Sequence, residues 1–244
     1  MQEILLILGI SVAGPIIGSL LGVIRRPSES FMYIMLAFAG GVMLSISFLD
    51  LIPESIRLSS AFWCAFGIVV GMLIMFFLDK LIPHIHPELS IPEHGSKLKK
   101  TATYLLLGIF LHNIPEGMAI GLGEAPGAQV SVLVIALAIA IHNIPEGICT
   151  SAPYYHITQK RYKSFLLSSS TAIPIIIGFL IAIIWYKYIS ETVIGIIAGG
   201  TAGLMIYITS DEIIPTSCSL TNHKPIFSLI IGILFVILLK SVIS

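Results

Sequence analysis

His112, Asn113 and Glu116 recur thirty residues on as His142, Asn143 and Glu146, each set within the same hexapeptide, His-Asn-Ile-Pro-Glu-Gly. On a helix, the His and Glu of each set stand one turn apart on one face, with the Asn turned to the adjacent face. If the two apolar runs that hold them are neighbouring helices, two imidazoles, two carboxylates and two amides converge. Ionisable groups deep in an apolar segment are costly unless they pair, ligate a metal or line a wet cavity. A divalent metal site is the economical reading. Pro115 and Pro145 lack an N–H, so they free the carbonyls of Leu111 and Ile141 and are expected to kink the helices beside the ligands. Freed carbonyls on bent helices are what transporters use at mid-membrane sites.

The elements that must position these groups follow from composition. The chain is 56% hydrophobic and only 11% charged, with mean hydropathy +1.00, which excludes an ordinary soluble domain and places it in a lipid bilayer. Its net charge is zero, and it has no basic tail or RNA-type aromatic motif, so nucleic acid is set aside. Glu3 stands where a signal peptide would be basic, and no small-x-small cleavage site follows, so residues 3–24 read as a retained first span. Cys64, Cys149 and Cys218 show no CxxC spacing and are too few for a disulfide framework. They read as packing residues, with a soft ligand role open only at Cys149, one turn after Glu146.

A helix needs about 20 apolar residues to cross the hydrocarbon core. Eight stretches qualify, at roughly 3–24, 31–52, 61–80, 102–122, 129–151, 165–186, 192–213 and 225–243. The expected fold is therefore an all-α integral membrane protein, residues 1–244 forming a single transmembrane unit of eight helices. The longest link, 82–100, carries Pro83, His84, His86, Pro87, Pro92, His94 and three lysines and reads as a flexible loop. Ten of the thirteen Lys and Arg residues fall in the links after spans 1, 3, 5 and 7; the other side has only Arg57, Lys187 and Lys240. That asymmetry puts both termini outside the cytoplasm and the His-bearing loop in the cytosol.

Internal repetition supplies the arrangement. Ser11-Val12-Ala13-Gly14-Pro15-Ile16-Ile17 in span 1 matches Ser170-Thr171-Ala172-Ile173-Pro174-Ile175-Ile176 in span 6. Span 2 ends in Ser47-Phe48-Leu49-Asp50-Leu51-Ile52-Pro53-Glu54-Ser55, and span 7 in Thr209-Ser210-Asp211-Glu212-Ile213-Ile214-Pro215-Thr216-Ser217. Spans 4 and 5 share the hexapeptide. Each pair runs in opposite directions across the membrane, so the pattern is an inverted repeat of three spans, a central two and three more. Spans 3 and 8 are left as the last pair, with no convincing match in sequence. A pseudo-two-fold axis in the membrane plane would bring the two hexapeptides together near the bilayer midplane.

At these residues the chain closely resembles the ZIP (Zrt/Irt-like) family of divalent metal transporters, bacterial branch, over essentially its whole length. A single His-Asn-x-Pro-Glu-Gly is weak evidence, whereas two in adjacent spans of an eight-span protein are strong. The resemblance implies uptake of a divalent transition metal into the cytosol through a two-metal site, Zn²⁺ first, with Fe²⁺, Mn²⁺ and Cd²⁺ as further cargo. It implies a homodimer in the inner (plasma) membrane. Carried over residue by residue, one metal position uses His112, Glu116, His142 and Glu146, with a thioether for which Met43 in span 2 is the choice. The second uses Asn113, Glu116, Asn143 and Glu146, the glutamates bridging. Imidazole and carboxylate ligands without thiolate suit these metals at moderate affinity, which lets the ion leave. Where the family's bacterial members often have a Glu before the proline of span 6, this chain has Ile173, which leaves the second position one charge short.

Access residues follow from depth. Asp50 and Glu54 lie at the outer end of span 2 and would attract cations; Asp79, His84, Asp211 and Glu212 lie at the inner ends of spans 3 and 7. The bland alternative is that terminal carboxylates are simply solvated. Three histidines in a flexible link, His84, His86 and His94, bind metal weakly and suggest an accessory role. His156 and His223 read as surface histidines. Among other functions, an intramembrane metalloprotease is the enzyme alternative, because His and Glu one turn apart can hold a metal and activate water. No HExxH is present, and hydrolysis gains nothing from matched halves. A packing device without metal would leave buried ionisable groups with no Lys or Arg partner in their spans.

Overall fold

The computed structural model describes residues 2–26, 28–85, 94–123, 132–185, 188, 190–218 and 223–243, and the regular structure in them is helical throughout. Helix α1 is Gln2–Ile24. Helix α2, Glu29–Ile46, continues through a π-helical turn, Ser47–Leu51, into α3, Ile52–Leu58. Next come α4 (Ala61–Ile85), α5 (His94–Gly123) and α6 (Val132–Thr158). Helices α7 (Arg161–Ser169) and α8 (Ala172–Trp185) follow. Helix α9, Glu191–Ile208, passes through a second π turn, Thr209–Ile213, into α10, Ile214–Ser217, and α11 is Lys224–Ile243. Among the described residues, six rods are long and apolar enough to cross a membrane: Leu5–Ile24, Ser30–Leu58, Ala61–Leu78, Arg161–Trp185, Glu191–Ser217 and Lys224–Ser241. Helices α5 and α6, 30 and 27 residues long, hold the two hexapeptides and are more polar.

Two expectations change. Helix α4 runs on to Ile85 and α5 begins at His94, so the loop expected over 82–100 narrows, and 86–93, with His86, lie outside the described residues. The sixth span, expected as one helix, is broken at Ser170–Thr171. The cause is local. Pro174 has no N–H for the Ser170 carbonyl, which takes the N–H of Ile173 instead at 3.0 Å, while the Ser170 and Thr171 hydroxyls donate to the carbonyls of Leu167 and Ser168 at 2.6 and 2.7 Å.

The repeat extends further than the motifs. Ser28 accepts the N–H of Phe31 at 3.2 Å and Ser190 that of Val193 at 3.3 Å, capping α2 and α9 in the same way. Both helices are 18 residues long and end in five-residue π turns, closed by the N–H of Ile52 on Ser47 O and of Ile214 on Thr209 O. Pro53 and Pro215 follow at the same place and remove the donor that a regular helix would use there.

Four helix pairs pack along most of their length: α1 with α6, α5 with α8, α4 with α9, and α2 with α11. Small residues allow the approach, as in other lipid-embedded crossings. A Cβ on Gly147 would lie 2.6 Å from Pro15 O, and one on Gly67 would lie 2.5 Å from Ile196 O. These contacts also set the missing register. Gly203 meets the carbonyl of Ile68 as Gly41 meets that of Leu229, and Gly71 meets that of Gly200 as Gly232 meets that of Phe38. Gly67 faces Ile196 O where the Ser228 hydroxyl donates to Ile34 O at 2.7 Å. In all three, the α2 and α9 residues are 162 apart and the α4 and α11 residues 161 apart. Helices α4 and α11 are thus the last repeat pair, which the sequence leaves only by elimination.

The packing also divides the molecule. Helices α1, α5, α6, α7 and α8 form one body, and α2, α3, α4, α9, α10 and α11 the other; across the seam α2 touches α6 and α5 touches α9 more lightly. Met43, Met75, Ile109, Cys149, Met205 and Ile208 fill that seam from both sides.

Candidate metal centre

Helices α5 and α6 enclose Pro115 and Pro145 without interruption, and they pack on each other over the hexapeptides. His112 Nε2 lies 2.7 Å from Glu116 Oε1, one turn along α5, and 4.0 Å from Glu146 Oε1 on α6. Asn143 on α6 donates its amide N–H to Glu116 Oε2 at 2.9 Å. His112 and Glu146 are each 1% exposed and Glu116 7%. The structure therefore brings together His112, Glu116, Asn143 and Glu146. His142 lies on α6 in register with them, but its side chain is outside the described residues.

Asn113 is fully buried and turns toward α8, where its amide donates to Thr171 O at 2.6 Å. The break at Ser170–Thr171 is what presents that carbonyl. On the other side, the Ser168 hydroxyl on α7 joins Ser19 Oγ of α1 (2.6 Å), Thr150 Oγ1 of α6 (2.5 Å) and the Gly147 carbonyl (3.1 Å). Thr150 also donates to the Glu146 carbonyl at 3.1 Å, so this knot of hydroxyls braces the turn that carries Glu146. Thr171, Thr150 and Ser168 were missed in sequence; a cluster of Ser and Thr before a proline was the only available signal.

The donor set fits a divalent ion. Ligand atoms 2.0–2.1 Å from a tetrahedral Zn²⁺ stand roughly 3.3 Å apart. The pairs at 2.7 and 4.0 Å bracket that value, although among the described residues no three His, Cys, Asp or Glu side chains already share ligand spacing. The Oδ1 atoms of Asn113 and Asn143 are buried and accept no hydrogen bond among the described residues. A buried amide oxygen of this kind normally has a partner, and a cation is one that suits it.

The other expected residues lie elsewhere. Met43 is fully buried on α2 in the opposite body, its sulfur 3.9 Å from Thr209 Oγ1, within the seam that also holds Cys149. Cys149 donates its thiol to Met35 O at 3.0 Å, which places it as a packing residue across that seam. Asp50 pairs with Lys240 at 2.6 Å, and Glu54 pairs with Arg57 through bonds of 2.5 and 2.7 Å. Asp211 and Glu212 lie in the second π turn, the former exposed and the latter buried. Asp79 and His84 lie on α4 with side chains outside the described residues. Ile173 is 50% exposed on the outward stripe of Ile176, Ile177 and Leu180, whereas Ile175 and Gly178 of the same helix face α5.

A sequence model of the family described as ZIP Zinc transporter matches residues 2–102 and 89–240. The chain is 34% identical to the Zinc transporter ZupT of Enterobacter sp. (strain 638) over 229 residues, covering 90% of this chain and 89% of that protein. It is similarly related, at 34% and 33% with the same coverage, to the Zinc transporter ZupT of Escherichia coli O127:H6 and of Escherichia coli strain K12 / DH10B.

Proposed function

The chain belongs to the ZIP zinc transporter family, and from that premise we propose that its cargo ion is held between α5 and α6 by the two His-Asn-Ile-Pro-Glu-Gly segments. It is a multi-pass inner-membrane transporter of divalent metal, zinc in particular, and not an enzyme. The intramembrane protease reading has no support. The single observation that carries the site is the convergence of His112, Glu116, Asn143 and Glu146, all buried, on two segments whose Asn113 and Asn143 amide oxygens accept no bond among the described residues.

The first ion position takes His112, Glu116, His142 and Glu146, and the second takes Asn113, Glu116, Asn143 and Glu146. Fe²⁺, Mn²⁺ and Cd²⁺ suit the same mixed nitrogen and oxygen ligands. In this reading the π turns after α2 and α9 frame the two ends of the route, Asp50 and Glu54 at the entry, Asp79, His84, Asp211 and Glu212 at the exit. Eight spans in two inverted halves are supported by the matched packing of α1 with α6 and α5 with α8, and of α4 with α9 and α2 with α11, and both termini outside by the distribution of Lys and Arg. Purified protein in liposomes is expected to move Zn²⁺ down its gradient, and Glu116→Ala or His142→Ala to stop it. Full flux through Glu116→Ala would remove the site from the route.

A further inference from the structure

Lys240 sits near the end of α11, against the π turn of the neighbouring α2–α3 rod. Its ammonium donates to Asp50 Oδ1 at 2.6 Å and to the carbonyl of Leu49 at 2.5 Å. The choice of carbonyl has a physical cause. Pro53, four residues after Leu49, has no N–H to give it, so the oxygen is open to a charged donor from outside the rod. Both side chains of the Lys240–Asp50 pair are nearly half exposed, at 47% and 45%.

The repeat gives this pair a counterpart. With the registers set by the glycine contacts, Lys240 corresponds to Asp79 and Asp50 to Glu212. One end of the repeat thus carries a cation against its carboxylate, where the other end has an acid at the matching backbone position. The halves differ in charge at a place where ions are drawn in or released.

We propose that Lys240 is a tethered competitor for Asp50, so that a divalent cation arriving at this end must displace the ammonium before the carboxylate can hold it. The inference rests on reading Asp50 as an entry residue. Lys240 then sets the apparent affinity for metal without touching the central site. An exposed ion pair holds its partner by a factor of roughly 1.5 to 5, and freeing Asp50 should lower KM by the same factor while the maximal rate stays fixed.

The test measures initial rates of Zn²⁺ entry into liposomes carrying the full-length protein, with a zinc-sensitive dye inside. Asp50→Asn should raise KM, Lys240→Met should lower it roughly 1.5- to 5-fold, and Lys240→Arg should stay near the parent. The Lys240→Met effect should vanish in the Asp50→Asn background, which a merely structural role for Lys240 would not produce. If Lys240→Met fails to fold, Lys240→Gln decides by the same KM criterion, because it keeps a donor for Leu49 O and drops the charge. A KM that rises or stays put on loss of the charge, with Asp50→Asn still raising it, overturns the competitor role. An unchanged KM in Asp50→Asn instead removes the entry reading and the inference with it.

Discussion

Replacing Asn143 with leucine separates a binding role from a packing role, because the first predicts a loss of affinity and the second a loss of stability. The side chain is fully buried, its Nδ2 holds Glu116 Oε2 at 2.9 Å, and its Oδ1 accepts no bond among the described residues. Leucine has the same branched skeleton and number of heavy atoms, with methyl groups bulkier than the amide's oxygen and nitrogen, so the substitution leaves no cavity. A buried amide with an unsatisfied oxygen is costly, and removing it offsets the donor that Glu116 Oε2 loses, so thermal stability should stay near the parent's. Glu116 keeps its contact with His112 at 2.7 Å and is not left bare. Metal binding should suffer, since the bond from Asn143 orients the carboxylate. A hydrogen bond to a charged group contributes about 1.5–3 kcal/mol, which corresponds to a loss of roughly 10- to 150-fold in Zn²⁺ affinity. Titration calorimetry of the detergent-solubilised protein reads the affinity, and a melting curve reads the stability. Zn²⁺ affinity within twofold of the parent would refute the reasoning, whatever happened to the melting temperature.

Gly147→Ala would place a methyl 2.6 Å from Pro15 O and 2.7 Å from Ser19 N, both backbone, and should cost about 1–3 kcal/mol by forcing α1 and α6 apart; an unchanged melting temperature would show that the crossing is looser than described. Ser168→Ala strands the Ser19 hydroxyl inside the body and takes one partner each from Thr150 and the Gly147 carbonyl, and should cost about 1–3 kcal/mol, with weaker zinc uptake because the turn bearing Glu146 is then held by Thr150 alone. Uptake equal to the parent's would sever that link. Ile173→Glu should leave zinc stoichiometry as it is and lower stability, since the new carboxylate would project from the outward apolar stripe of α8 and not toward Asn113. A gain of one bound ion by equilibrium dialysis would contradict that orientation.

The central site was legible because its signal is chemical and doubled. Two copies of a hexapeptide with ionisable groups at helical spacing need no tertiary information to be noticed, and His112, Glu116, Asn143 and Glu146 do meet. The pairing of α4 with α11 was reached only by elimination, because what repeats is a contact and not a residue: Gly67 in one half does the work of Ser228 in the other, each admitting a neighbouring carbonyl. The break in the sixth span was hidden for a related reason. Pro15 and Pro174 align, yet α1 runs straight through its proline, and only the hydroxyls of Ser170 and Thr171 end the helix beside the other. Lys240 was counted only for orientation, since nothing local says that a proline-freed carbonyl on another rod awaits it.

The seam between the two packed bodies bears on how cargo could move. Every oxygen and nitrogen atom placed at the centre, down to the Thr171 carbonyl that steadies Asn113, belongs to the body of α1 and α5–α8. Met43 alone sits on the far bank. A sliding of one bank along the other would carry the ion like a passenger in a closed cabin, with its carboxylates and amides travelling beside it; of the proposed ligands only the Met43 thioether would be left behind, and the Cys149 bond to Met35 O would part with it. A soft, neutral sulfur is the mooring that releases most easily, so with Met43 as the proposed thioether the division of the bundle would set the weakest ligand at the one place where letting go is required.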